Sequence, residues 1–244
     1  MHRIAIGSAG WSIPRQHSKL FQSGASVLSR YASLFNCVEI NSSFYRPHQR
    51  NTYERWASAV PRAFRFSVKF PRCISHDARL QQIGHELDRF LGEVEGLGDK
   101  LGCLLLQLPP SLKFDARTLL TFFRMVRRRS QARLCCEPRH PSWFTSAADS
   151  LLRRHAIARV ASDPAIVPVA MQPGGDRSWT YWRWHGSPRM YYSDYPLQTL
   201  AGLAGTVANS HGETEAWIIF DNTALGHATA NAACLRNLIA FAPR

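Results

Sequence analysis

Residues 64–70 read Phe-Arg-Phe-Ser-Val-Lys-Phe. Side chains two apart on a strand share a face, so Phe64, Phe66 and Val68 line one side and Arg65, Ser67 and Lys69 the other. The apolar side suits packing beneath helices. The polar side then points inward, and buried polar groups need partners there. Seven other short apolar or β-branched runs can be read: Arg3–Ser8, Cys37–Asn41, Gly102–Gln107, Ala132–Glu137, Ile157–Asp163, Trp179–His185 and Ala216–Asp221. Helical spacing marks segments between most of them: Val27 to Phe35, Tyr53 to Val60, Ile83 to Val94, Leu119 to Val126, Leu197 to Val207 and Ala228 to Leu235.

Alternating strands and helices imply parallel strands joined by crossovers. Eight strands in 244 residues is the count of a closed (β/α)8 TIM-type barrel. A doubly wound open sheet is the alternative, but no GxGxxG fingerprint follows the first run. Residues Asp163–Ser178 hold Pro164, Pro168, Pro173, Gly174 and Gly175, which predicts a loop in place of the helix after strand six. Neither a linker-like stretch nor an internal repeat interrupts the chain, so residues 1–244 read as one domain.

Composition narrows the function classes. The apolar fraction of 45% is that of an ordinary globular protein. No run approaches the roughly 18 apolar residues of a membrane span. The opening MHRIAIGSAGW lacks the apolar stretch of a secretory signal, and none of the six cysteines forms a CxxC pair. These features predict a cytoplasmic protein with reduced thiols and no membrane association. The net charge of +13 comes from 30 basic and 17 acidic residues; four of the basic ones are lysine and the remaining 26 arginine. A positive surface favours an anionic partner, and basic loops with interleaved aromatics keep nucleic acid as an alternative. The densest basic run, Arg124–Arg133, follows the fourth helix, on the face of a barrel away from its active site.

The C-terminal ends of the runs carry the chemistry. Inward positions hold Glu39 and Asn41, Lys69, Gln107, Glu137, Asp163, Arg183 with His185, and Asp221. In a (β/α) barrel this end is the active-site face. Acids and bases in this set can neutralise one another, so a purely structural ion network is the competing reading.

The motifs GSAGW (7–11), VEINSSFYRP (38–47), FRFSVKFPRCISH (64–76), LLLQLPPSLKFD (104–115), EPRHPSWF (137–144), YWRWHGS (181–187) and IIFDNTALGHATANA (218–232) together resemble the family called domain of unknown function 72, the YecE-like proteins. The resemblance runs from about Gly7 to Leu235. It implies a (β/α) barrel and brings no established activity. Two departures stand out. After GW the chain reads SIPRQHSKLFQSG instead of an aromatic-rich segment, and its last strand ends in Phe-Asp-Asn where the family often has Phe-Asn-Asn.

Lys69, Glu137 and His185 are the expected acid/base residues. Lys69 is also a candidate Schiff-base nucleophile, since an arginine there would lack a deprotonatable amine. Trp11, Glu39, Asn41, Tyr45, His76, Gln107, Arg139, Asp163, Arg183, Asp221 and Asn222 are the expected substrate-binding set. No metal ligands are assigned: no HxH or HExxH cluster supplies two ligands together, and Lys69 and Arg183 add positive charge where a cation would sit. No nucleotide-cofactor motif is present. The expected function is hydrolysis or isomerisation of an anionic, phosphorylated or sugar-like small molecule. Its rivals are a metal-dependent nucleic-acid-processing barrel and a non-catalytic binding or scaffold protein.

Overall fold

Each of the eight runs forms strand. In the computed structural model, which describes residues 4–210 and 214–240, they are β1 (Ile4–Ser8), β2 (Cys37–Ile40), β3 (Arg65–Lys69), β4 (Leu101–Gln107), β5 (Arg133–Glu137), β6 (Ile157–Arg159) with β7 (Ala161–Asp163), β9 (Trp179–Trp184) and β10 (Glu215–Phe220). Arg3, placed in the first run, lies outside the described residues. A two-residue strand, β8 (Gly174–Gly175), pairs antiparallel with β6. Every other pairing is parallel.

The helices are α1 (Val27–Tyr31), α2 (Ser42–Tyr45), α3 (Arg50–Ser58), α4 (Gly84–Val94), α5 (Ala116–Arg127), α6 (Ser146–Arg154), α7 (Leu197–Ser210) and α8 (His227–Ala240). Side chains cap the starts of α1, α5 and α6. Asp115 accepts from the Thr118 N–H at 2.7 Å, and Thr145 accepts from the Ala148 N–H. The stretch after β7 carries only a short 3₁₀ turn, Pro168–Met171, and β8, in keeping with the loop expected there.

Outward strand residues Phe66, Val68, Leu104, Leu106, Leu134, Trp182, Ile218 and Phe220 bury against Leu87, Phe90, Leu119, Phe122, Leu152, Leu200 and Leu235 from the helices. A second cluster lies between the sheets: Cys37, Cys103, Leu105, Cys135, Ala158, Val160, Trp179, Tyr181, Trp217 and Ile219. The alternation read from residues 64–70 is thus the division between these two cores.

The strands do not form one continuous hydrogen-bonded ring. They make two sheets, ordered β1-β10-β9-β7 and β2-β3-β4-β5-β6-β8. The predicted sixth strand breaks at Val160, so β6 pairs with β5 and β7 pairs with β9. At the other junction, side chains replace ladder bonds. The Asn36 amide donates to the Ile4 carbonyl and accepts from the Ile6 N–H. The Tyr31 hydroxyl accepts from the Ser8 N–H at 2.8 Å and donates to the Cys37 carbonyl. Only at the strand ends do backbones meet directly, in a bridge between Ala9 and Glu39 and a 2.8 Å bond from the Gly10 N–H to the Glu39 carbonyl. Gly7 permits this approach: a Cβ there would lie 2.2 Å from the Cys37 oxygen. Among the described residues no helix is long and apolar enough to cross a membrane.

Candidate active site

Arg183, on β9, is completely buried between the two sheets. Its guanidinium donates to Glu39 through Nε (2.9 Å) and Nη2 (2.7 Å), to Glu137 through Nη1 (2.8 Å) and to Asp221 through Nη2 (2.9 Å). A planar fork meeting a carboxylate with two donors is the geometry arginine supplies and lysine does not. Glu39 is held further by the Tyr181 hydroxyl at 2.8 Å, which also bonds Ser67. The Gln107 amide donates to Glu137 at 3.0 Å.

His185, two residues on and also fully buried, is clamped at both ring nitrogens. Nδ1 lies 3.0 Å from Asp221 Oδ2 and Nε2 lies 2.8 Å from Glu137 Oε1. Arg139 reaches the same place, with Nη2 2.7 Å from His185 Nε2 and 2.5 Å from Glu137 Oε1. Two proton arrangements fit. An imidazolium donates to both carboxylates, whereas a neutral ring donates to Asp221 and accepts from Arg139 at Nε2. A group that can hold or release a proton without changing its position is suited to acid/base work.

The electrostatics keep Glu137, Asp221 and Arg183 ionised. Burial pushes the Glu137 carboxyl up, but Arg139, Arg183 and His185 together hold it well below the usual carboxylate range. Burial opposes ionisation of Asp221 too, and Arg183 and His185 pull it down. Arg183 resists its own burial because Glu39, Asp221 and Glu137 surround it, and its proton affinity rises.

Lys69 differs from every neighbour. It is 8% exposed, and its Nζ lies over the Phe44 ring, 4.1 Å from the centroid. Among the described residues its amine makes neither an ion pair nor a hydrogen bond. Burial, and then the Arg183 charge, lower its pKa to about 8 against the partial opposition of Glu39, Glu137 and Asp221. Three buried polar atoms of the expected residues have no partner among the described residues: Arg139 Nε, Asn41 Oδ1 and Asn222 Oδ1.

Other expected residues sit apart. Asp163 is half-buried, faces the Tyr195 hydroxyl at 3.3 Å, and has its pKa raised by burial. Asn222 turns outward and donates to the Ser193 carbonyl and to Asn231, leaving Oδ1 buried without a partner. Trp11 packs edge-on against Trp56, and Tyr45 is 79% exposed beside Phe44. His76 bonds Ser75 and packs edge-on against Phe44, while burial and then Lys69 lower its pKa. The sequence reading missed Phe44 as the cover of Lys69, Tyr181 as a partner of Glu39, and Tyr191 as a neighbour of His185. Tyr181 was readable by alternation, two residues before Arg183. Tyr191, edge-on to His185 at 5.9 Å from a left-handed backbone (φ 70°), had no such signal.

Among the described residues no group of three His, Cys, Asp or Glu is arranged to hold a metal ion. The space between Glu39, Glu137 and Asp221 contains the Arg183 guanidinium.

Known proteins share this fold. The fold matches a DUF72 family protein from Enterococcus faecalis with a TM-score of 0.82 at 21% identity, over 99% of this chain and 97% of that one. It matches another from Thermotoga maritima with a TM-score of 0.80 at 23% identity, over 98% and 100%. In sequence, the chain is 31% identical over 173 residues to the UPF0759 protein YecE of Escherichia coli K12, covering 68% of this chain and 61% of the relative. The aligned stretch therefore spans less than two thirds of that relative's length. The family model described as "Protein of unknown function DUF72" matches residues 5–243. With the motifs, the fold and the family model in agreement, the chain belongs to the DUF72, or YecE-like, family.

Proposed function

We propose that this protein is an enzyme whose active site lies at the C-terminal strand ends and takes an anionic small molecule, phosphorylated or sugar-like, for hydrolysis or isomerisation by acid/base chemistry. The observation that carries the reading is the pairing of satisfied and unsatisfied groups. His185 is locked between Glu137 and Asp221, while Arg139, which reaches it through Nη2, keeps a buried Nε without a partner, and among the described residues the Lys69 amine makes neither an ion pair nor a hydrogen bond. A structural ion network satisfies its members, because each unpaired buried donor costs about 1–3 kcal/mol. Open donors beside a positioned acid/base pair are what a bound anion would fill.

In this reading the two sheets and their seams at Val160 and at Asn36–Tyr31 close into a single eight-stranded barrel domain, which puts the cluster at its active-site mouth. The six free thiols fit a cytoplasmic setting. The metal-dependent nucleic-acid alternative has less support, since Arg183 already occupies the carboxylates a cation would need.

Calorimetric titration with inorganic phosphate and glucose 6-phosphate tests the reading. Binding to the wild type should weaken at least tenfold, about 1.4 kcal/mol, in Arg139→Gln and in Lys69→Met. Equal affinity in both variants, with the fold intact by circular dichroism, overturns it.

A further inference from the structure

We propose that Lys69 is an imine-forming nucleophile and that the substrate of this site is an aldehyde or ketone bearing a negatively charged group. The proposal rests on reading the strand ends as an active site, and it adds the reacting bond.

A lysine that only anchors an anion gains from staying charged, and proteins usually keep it so with a carboxylate. Lys69 has no carboxylate within ion-pair distance, although Glu39, Glu137 and Asp221 all lie in its electrostatic surroundings. An aromatic ring covers it instead, Arg183 repels it, and His76 lies beside that ring. Burial and the Arg183 charge favour the neutral, nucleophilic amine, against the attraction of the Phe44 ring face for the ammonium. Its pKa of about 8 places the change of form near neutrality. In a chain with 26 arginines, a pure anion anchor at this position had a ready alternative.

The remaining open groups describe the rest of the ligand. Arg139 Nε, on a side chain only 9% exposed, offers a charged donor to a carboxylate or phosphate. Asn41 Oδ1 offers an acceptor to a hydroxyl or N–H.

In the step itself, the Lys69 nitrogen pair forms a C–N bond as the carbonyl π pair moves to oxygen, which takes a proton. The nitrogen gives up a proton, its pair then forms C=N, and the C–O bond breaks as a proton from His185 converts the departing oxygen to water. One water leaves, and nothing is oxidised or reduced.

The test is reductive trapping on the full chain. Wild-type protein is incubated with pyruvate, a ketone carrying a carboxylate, and with neutral glyceraldehyde, each with cyanoborohydride at pH 7.5, and its lysine peptides are compared by mass spectrometry. Only four lysines exist, and Lys19 and Lys113 are exposed internal references. Against a reference amine of ordinary pKa near 10.4, a pKa of about 8 leaves on the order of a hundredfold more neutral amine at this pH. We expect pyruvate labelling of Lys69 to exceed that of Lys19 and Lys113 at least tenfold, about one logarithmic unit of that advantage. It should level off above about pH 8. Arg139→Gln should reduce labelling by pyruvate and spare labelling by glyceraldehyde.

Labelling of Lys69 no greater than that of the references overturns the proposal. If calorimetry then still shows phosphate bound at the site, the imine step alone fails and the anion-site reading stands. If phosphate is not bound either, both fail.

Discussion

The space between the two sheets contains two layers built from the same strands, and one step along each strand changes the chemistry. The lower layer holds Cys37, Ser67, Leu105, Cys135, Tyr181 and Ile219, all buried. Two residues on, about 6.6 Å higher, the upper layer holds Glu39, Lys69, Gln107, Glu137, Arg183 and Asp221. The lower layer is closed by packing. Trp217 stacks on Tyr181 at 6.1 Å with an interplanar angle of 13°, and a Cβ on Gly102 would come within 2.4 Å of its ring. Burial raises the thiols of Cys37 and Cys135 well above their usual range, which makes them inert. The upper layer has the opposite design, with strong ion pairs on one side and open donors on the other. Identical strand geometry thus supports a structural floor and a chemical ceiling.

Substitutions can break this comparison. Arg183→Leu should have the largest effect, because it leaves the buried Glu39 without its ion-pair partner and takes one cation from Glu137 and Asp221, at a cost of about 3–5 kcal/mol or more. Urea unfolding followed by circular dichroism should show a much lower midpoint or an unfolded chain. Trp217→Ala should cost about 3–4 kcal/mol through the cavity it leaves, yet leave phosphate affinity within about twofold, under 0.5 kcal/mol. A loss of affinity there would show that the two layers are not separable.

Asp221→Asn should cost less, about 1–2 kcal/mol. The amide keeps the shape of the side chain and one acceptor oxygen. Since Asp221 and Glu137 have depressed folded pKa values, their stabilisation is complete above the unfolded carboxylate range near pH 4 and is lost as pH falls through the folded values. The variant should therefore lose less stability than the wild type between pH 4 and pH 2. Smallest of all, Cys103→Ala should shift stability by about 1 kcal/mol. In the native protein a thiol reagent should reach only the half-buried Cys73 and Cys234.

The layering was largely legible in the residues. Alternation in FRFSVK, and again at Cys37/Glu39, Cys135/Glu137 and Arg183/His185, predicted which side chains face inward, and those side chains converge. All eight runs read as strands form strand, because buried strands are short, apolar and bounded by turns, whereas the two-residue β8 lies in a stretch read as loop. Three features were not legible, since each depends on contacts distant in sequence. The break at Val160 reflects which neighbour each half of the run meets. The β1–β2 seam uses Asn36 and Tyr31, residues ordinary in their local context. The solitude of Lys69 is a matter of angstroms among charges whose nearest partners are one another. Helix α6 was missed for a local reason, since SAADSLLRR is short and carries few apolar residues.

Stability as a function of pH, compared between wild type and Lys69→Met, tests most directly whether the upper layer is a site and not a brace. The folded pKa of Lys69 is about 8, below the usual 10.5. Keeping its proton in the folded state therefore costs stability below about pH 8, and that cost fades as pH rises from about 8 to 10.5. The account predicts that Lys69→Met is more stable than the wild type at pH 7 by up to about 3 kcal/mol, and that the gap closes above pH 10. A variant less stable than the wild type at pH 7 would contradict it, and would make Lys69 one more structural cation in the network around Arg183.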